Sequence, residues 1–275
     1  MVAVPGGYVM QSQFIRLFFL LVLISLSACG GGDDGGGGGA IVFEETESFS
    51  CEVPAGNHTQ LNVEGVNGEI TITGESGADS VMITAIKRVQ SKIDAQDAKD
   101  HLQALVVTCE SLATTVHVET IQPQDTVERN YIVDYTITLP TYFKIQVDSI
   151  NGIVTLDSIE NDVTVTMANG EVTLSNIHGS ALVGLANGTI DSKVVLPLQG
   201  TIDLKVATGG DIQLAIPTNT SATFSATTLF GSINISSNLV LQDVVKTSTS
   251  LSGTLGSGEG EISLGTMGDI YVSGF

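Results

Sequence analysis

The sequence predicts an all-β fold: a single-stranded β-solenoid or β-helix built from Asn-Gly-punctuated repeats, with one short helix in the N-terminal part. Three observations predict it. Residues 151–168 (NGIVTLDSIENDVTVTMA) and 169–186 (NGEVTLSNIHGSALVGLA) agree at 8 of 18 positions without a gap. After each Asn-Gly, apolar and polar residues alternate with period two, the pattern of a strand with one buried face. The 275 residues include 31 Gly and no Trp, with only 15% charged residues, a turn-rich β composition.

The repeat carries the architecture. Asn151-Gly152, Asn169-Gly170 and Asn187-Gly188 start successive units, and Asn67-Gly68 carries the same signature earlier in the chain. Asn-Gly adopts positive φ readily and predicts a tight turn at each start. Val154 and Leu156, then Val172 and Leu174, point to one side of their strands, with Thr155 and Thr173 on the other. Second short strands, Val163–Val165 and Ala181–Val183, close each unit. One unit cannot bury its apolar side alone, whereas stacked units can. Weaker echoes follow at Gly209-Gly210, Gly231, Gly253 and Gly268. The same spacing also fits a meander of hairpins in a sandwich or barrel, so both architectures stand at this point.

The first 28 residues read as an address. The apolar run Leu17–Ile24 is too short to cross a bilayer, which takes about 20 residues. Arg16 precedes it and Leu26-Ser-Ala-Cys29 follows, the layout of a secretory signal. Leu-Ser-Ala-Cys resembles the lipobox of bacterial lipoproteins, which implies cleavage before Cys29 and lipidation of its thiol. The charge-free start Met1–Val9 is unlike a signal's basic end, and translation from Met10 fits better. Residues 29–40 are a Gly-rich tether with maximal backbone freedom. Gly30 after the Cys, by the sorting pattern of such lipoproteins, implies the outer membrane of the envelope.

Residues 41–150 form a less regular β-rich part, continuous with the repeats of 151–275 because no linker composition separates them. Ser80–Val89, Val106–Cys109, Thr114–Glu119 and Asn130–Leu139 read as strands. Asp94–Leu105 is the helical candidate: Asp94 can cap it, and Ala98, Leu102 and Leu105 share a face. In an exported, oxidising compartment Cys51 and Cys109 form an even pair. They predict one disulfide, with two buried thiols as the alternative.

Taken together, Ser48-Phe-Ser-Cys-Glu-Val53, Asn67-Gly-Glu-Ile70, Val133-Asp-Tyr-Thr-Ile-Thr-Leu-Pro140 and the tandem Asn-Gly-x-Val units resemble the bacterial putative-adhesin family, also described as toastrack-like domains. The resemblance runs from about Ile41 to the C-terminus. It implies an Asn-Gly-punctuated β-solenoid in an exported or membrane-attached protein, and it brings no catalytic residues with it. The fading of Asn-Gly after Asn187 and the pair Cys51 and Cys109 depart from the family's pattern.

Function classes narrow by exclusion. A formal charge of −20 opposes binding to nucleic acid, and it opposes anionic lipid headgroups unless attachment is covalent. His58, His101, His117 and His178 share no spacing, and no nucleophile elbow, phosphate loop or dinucleotide fingerprint is present. No enzyme, no cofactor and no metal site is expected. Asp157, Glu160, Asp162, Glu171, Asp191, Asp211 and Asp269 recur beside turns but do not make the calcium-binding repeat pattern. The expected function is a lipid-anchored cell-envelope protein that presents a non-catalytic β-solenoid for adhesion or interaction with a glycan, peptide or protein. The alternative is an envelope-stress sensing or scaffolding module acting with a membrane partner.

Overall fold

A computed structural model describes residues 41–275. The signal segment, Cys29 and the Gly-rich tether lie outside the described residues. In chain order the strands are β1 (Phe43–Pro54), β2 (Gln60–Glu64), β3 (Asn67–Glu75) and β4 (Ser80–Ser91), then the helix α1 (Ala95–Ala104). After the helix come β5 (Val106–Leu112), β6 (Thr115–Ile121) and β7 (Arg129–Pro140). Three long strands follow: β8 (Lys144–Ile159), β9 (Val163–Ile177) and β10 (Ala181–Val194). The C-terminal part holds β11 (Thr201–Val206), β12 (Ile212–Ile216), β13 (Ala222–Thr228), β14 (Ile233–Ile235), β15 (Leu241–Lys246), β16 (Ser250–Leu255), β17 (Gly260–Thr266) and β18 (Ile270–Gly274).

The fold is all-β and solenoidal. β8, β9 and β10 pair in parallel and in register, Asn151 on Asn169 on Asn187, Val154 on Val172 on Ile190. A hairpin meander would have paired them antiparallel. Each long strand bends at its Asn-Gly, so its first half lies in one wall and its second half in another. Wall A stacks β6, β2, the first halves of β8, β9 and β10, then β11, β17 and β13. Wall B stacks β7, β3, the second halves of the long strands, then β12, β18 and β14.

Period-two alternation places the core between the walls. Ile70, Val154, Val172, Ile190, Ile212 and Ile270 form one buried column of wall B. Val63, Val147, Val165, Val183, Leu204 and Leu264 form its counterpart in wall A. Each such side chain contributes roughly 1.5–3 kcal/mol on burial, and stacking like on like keeps the packing uniform along the stack. Ser192 interrupts the second column of wall B between Leu174 and Leu214. It is fully buried, and its hydroxyl donates to the Gln213 carbonyl at 3.0 Å, which removes the cost of an unpaired polar group.

The order of coils departs from chain order at both ends. β2 and β3 lie between β6–β7 and β8. The last coil, β17–β18, is inserted between β11–β12 and β13–β14. The weak echoes are corrected accordingly. Gly210, Gly268 and Gly231 occupy neighbouring corners in that spatial order, whereas Gly253 lies in β16, antiparallel to β13, and marks no corner. Both edges of an inserted coil are hydrogen-bonded, and sequence spacing carries no trace of such a long-range insertion.

Antiparallel strands and the helix close the N-terminal end. β4 pairs with β7 and β1 with β4, while β5 pairs with β6. Asp94 accepts the Asp97 N–H at 2.8 Å as the helix cap, and Ala98 and Leu102 are buried. Arg129 makes a two-pronged ion pair with Asp97, at 2.7 and 2.8 Å, binding the helix to β7. Ser91 adds a hydroxyl bond at 2.6 Å, and these partners hold the Asp97 carboxyl down at about 2. At the other end β16 pairs with β13, and β15 with β16.

Candidate functional site

The corner between the walls is built by the Asn-Gly pairs. Gly68, Gly152, Gly170 and Gly188 take φ between 126° and 144°, a region closed to side chains, while their Asn partners keep ordinary negative φ. The expected tight turns are therefore corrected. Asn-Gly here is a corner inside a continuous hydrogen-bonded strand, not a reversal between two strands, because only the Gly needs the special conformation. Asn151 Nδ2 donates to Asn67 Oδ1 at 2.8 Å, and Asn169 Nδ2 to Asn151 Oδ1 at 3.0 Å. Asn67 Nδ2 continues this amide ladder to the Tyr131 carbonyl at 3.1 Å. Asn187 and Gly188 stack on Asn169 and Gly170 in register. These residues hold the frame and leave no reactive group facing solvent.

The other residues singled out from the sequence are structural or dispersed. Cys51 and Cys109 are joined by a disulfide, with Cα atoms 6.6 Å apart, and it ties β1 to β5 across the N-terminal end. His58 is buried, its Nδ1 3.1 Å from the Ala55 carbonyl and its Nε2 2.9 Å from the Ser111 hydroxyl. His101 sits beside Asp97 on α1, His117 faces out from β6, and His178 lies in the loop after β9. Among the described residues no group of three or more His, Cys, Asp or Glu converges as a metal holder.

A different constellation lies on the outer surface of wall B. Asp191 of β10, Gln213 of β12 and Tyr271 of β18 are register partners on three neighbouring strands. With Ser273, Ala215 and Leu214 they line an open cleft of about 350 Å³. Tyr271 is 43% exposed, and neither Asp191 nor Gln213 spends its side chain on a hydrogen bond among the described residues. Lys193, the register partner of Ala215, places its ammonium 4.7 Å from the centroid of the Phe275 ring. Below the cleft the Ser232 N–H and hydroxyl bind the Asp269 carboxylate at 2.7 and 2.8 Å and lower its pKa. That carboxylate accepts the Tyr271 hydroxyl at 3.3 Å and keeps the phenol protonated above its usual range. The cleft thus offers an aromatic surface, an amide and a carboxylate at spacings of about 4.8 Å.

The sequence alone does not reveal this grouping, since it shows Asp191 only as one of several acids that recur beside turns. Tyr271 is remote in sequence and reaches Gln213 only through the inserted last coil. The legible signal was a tyrosine between two buried positions, Ile270 and Val272, which must face outward.

The family described as Toastrack DUF4097 matches residues 27–273 of the chain. No curated protein matches it. Among solved structures it is similar to a "putative cell adhesion protein" from Clostridium sporogenes, at 12% identity over 84% of this chain and 100% of that one, with a TM-score of 0.49. It is also similar to a "putative adhesin" from Bacteroides fragilis, at 14% identity over 82% and 97%, with a TM-score of 0.33. A "putative lipid binding protein" from Parabacteroides distasonis aligns at 11% identity over 84% and 96%, with a TM-score of 0.29.

Proposed function

The chain belongs to the Toastrack DUF4097 family, and from that premise we propose that it is a lipid-anchored, non-catalytic interaction protein of the cell envelope. The lipobox at Cys29 and the Gly-rich segment behind it support the anchor. An acidic chain gains nothing from anionic headgroups, so a covalent lipid is the attachment its charge permits. The wall B cleft carries the interaction reading. Tyr271 offers a ring face beside two unengaged polar side chains, Asp191 and Gln213, the combination that binds a saccharide by stacking and hydrogen bonds.

The test is binding of the full-length protein in detergent to immobilised neutral oligosaccharides and peptidoglycan fragments. Retention on at least one of them, weakened tenfold or more in Tyr271→Ala at unchanged melting temperature, supports the reading. No retention, or retention indifferent to Tyr271→Ala, removes the cleft as the contact site.

A further inference from the structure

The two ends of the solenoid are finished differently. At the N-terminal end, the edge strand β1 carries Glu44, Glu45, Glu47 and Glu52, and α1 packs beside it. Charges on an edge discourage further strand pairing. At the C-terminal end, the edge strand of wall A, β15, is broken by an irregularity between Gln242 and Val245, with Asp243 at φ 50°. Such a bulge also blunts an edge.

β14, the last strand of wall B, carries neither charge nor bulge and is blunted only by its length of three residues. It pairs with β18 alone among the described strands. The Ser232 carbonyl accepts from Ile270, and the Ser236 N–H donates to Val272, so even-numbered residues bond inward. In a parallel ladder the N–H and C=O groups of Ile233 and Ile235 then point away from the sheet. Their side chains end the two core columns of wall B and are only half-buried. On either side of β14 in the sequence Leu229, Phe230 and Val240 are exposed, Phe230 at 81%. Residues 212–242 contain no charged side chain, in a chain with 30 acidic residues.

We infer that β14 is an association edge and that its occupant is a second copy of this chain. Charge favours that occupant. Two copies at −20 each repel over most of their surfaces, and the segment 212–242 lets them meet along an edge that carries no charged side chain of its own, with Asp269 held by Ser232 and Asp243 in β15 as the neighbouring carboxylates. The strand is also complementary to itself. Laid antiparallel on its copy about Asn234, Ile233 of one chain exchanges both backbone hydrogen bonds with Ile235 of the other, and the reverse pair does the same. All four outward N–H groups and all four outward carbonyls of the two edges are then engaged in an isologous, closed pair. Ile233 and Ile235 cover the open ends of each other's core columns. The two B walls join into one sheet with both Tyr271 clefts on it, because Tyr271 is the register partner of Asn234. Two clefts on one rigid sheet raise avidity for a repetitive ligand.

The register gives a sharp test. Two Asn234 residues across the axis form a non-hydrogen-bonded pair with Cα atoms about 4.5 Å apart, within disulfide range. Full-length Asn234→Cys, expressed in its own envelope, is expected to run as a disulfide-linked dimer on non-reducing gels, whereas Glu45→Cys on β1 stays monomeric. Asn234→Cys combined with Ile233→Pro, which removes an edge N–H, is expected to lose the cross-link while keeping its melting temperature within a few degrees. A monomeric Asn234→Cys, a cross-link to a different protein, or equal cross-linking at Glu45→Cys overturns the inference.

Discussion

A Cβ built on Gly170 would lie 1.9 Å from the carbonyl oxygen of Gly152 in the neighbouring coil. The relationship repeats along the corner. Gly152 stands in the same way to Gly68 at 1.8 Å, Gly188 to Gly170 at 1.8 Å, and Gly210 to Gly188 at 1.7 Å. Each coil is thus seated against the backbone of the one before, at a distance no side chain permits. The positive φ of these glycines and the close approach have one origin: the ladder hydrogen bonds continue through the bend.

Gly170→Ala is therefore expected to cost at least about 3 kcal/mol, combining a strained φ with overpacking against fixed backbone. Gly184→Ala is the control, because nothing lies within 4 Å of its Cβ position and its φ is not positive. It is expected to change stability by less than about 1 kcal/mol. Chemical denaturation followed by circular dichroism measures both. Equal effects would show that the corner does not depend on backbone contact.

The core columns make a second prediction. Leu174 is buried between Leu156 and Ser192, while its neighbour Thr173 faces outward. Leu174→Ala is expected to cost about 2–5 kcal/mol through lost burial and a cavity, and Thr173→Ala less than about 1 kcal/mol. The same denaturation experiment separates them, and a larger loss for Thr173→Ala would reverse the assignment of faces.

Acid should weaken the attachment of α1. Asp97 titrates at about 2 in the folded protein, chiefly through the Arg129 bonds, against 3.8 ordinarily. Its carboxylate contributes stability that is fully present above about pH 4 and is lost as pH falls toward 2. Asp97→Asn is expected to be less stable at neutral pH and to show a shallower decline in melting temperature between pH 4 and 2. Parallel acid limbs for the two proteins would deny the ion pair that role.

Much of this fold was legible because local pattern and global packing agree. The alternation through Val154, Leu156, Val172 and Leu174 dictates which side chains meet, and the Asp94 cap with Ala98 and Leu102 dictates the helix. What escaped was non-local. Nothing between Leu255 and Phe275 announces that this last coil slips between two earlier ones, since parallel pairing is decided by which edge is open when the chain returns. The cleft of Asp191, Gln213 and Tyr271 inherits that opacity, as its members meet only through the insertion. The corner was half legible: Asn-Gly showed where the chain bends, but a hairpin turn and a solenoid corner share the dipeptide and differ in whether Asn also takes positive φ.

Cell fractionation of the Cys29→Ala protein decides whether this solenoid works while held to the envelope by Cys29. Wild type is expected to sediment with membranes and to partition into detergent, carrying a lipid mass on its N-terminal Cys. Cys29→Ala is expected to lose the lipid and to escape cleavage before residue 29, while the fold of 41–275 is unchanged. A Cys29→Ala protein that matures and sediments as wild type does would rule out the lipid anchor.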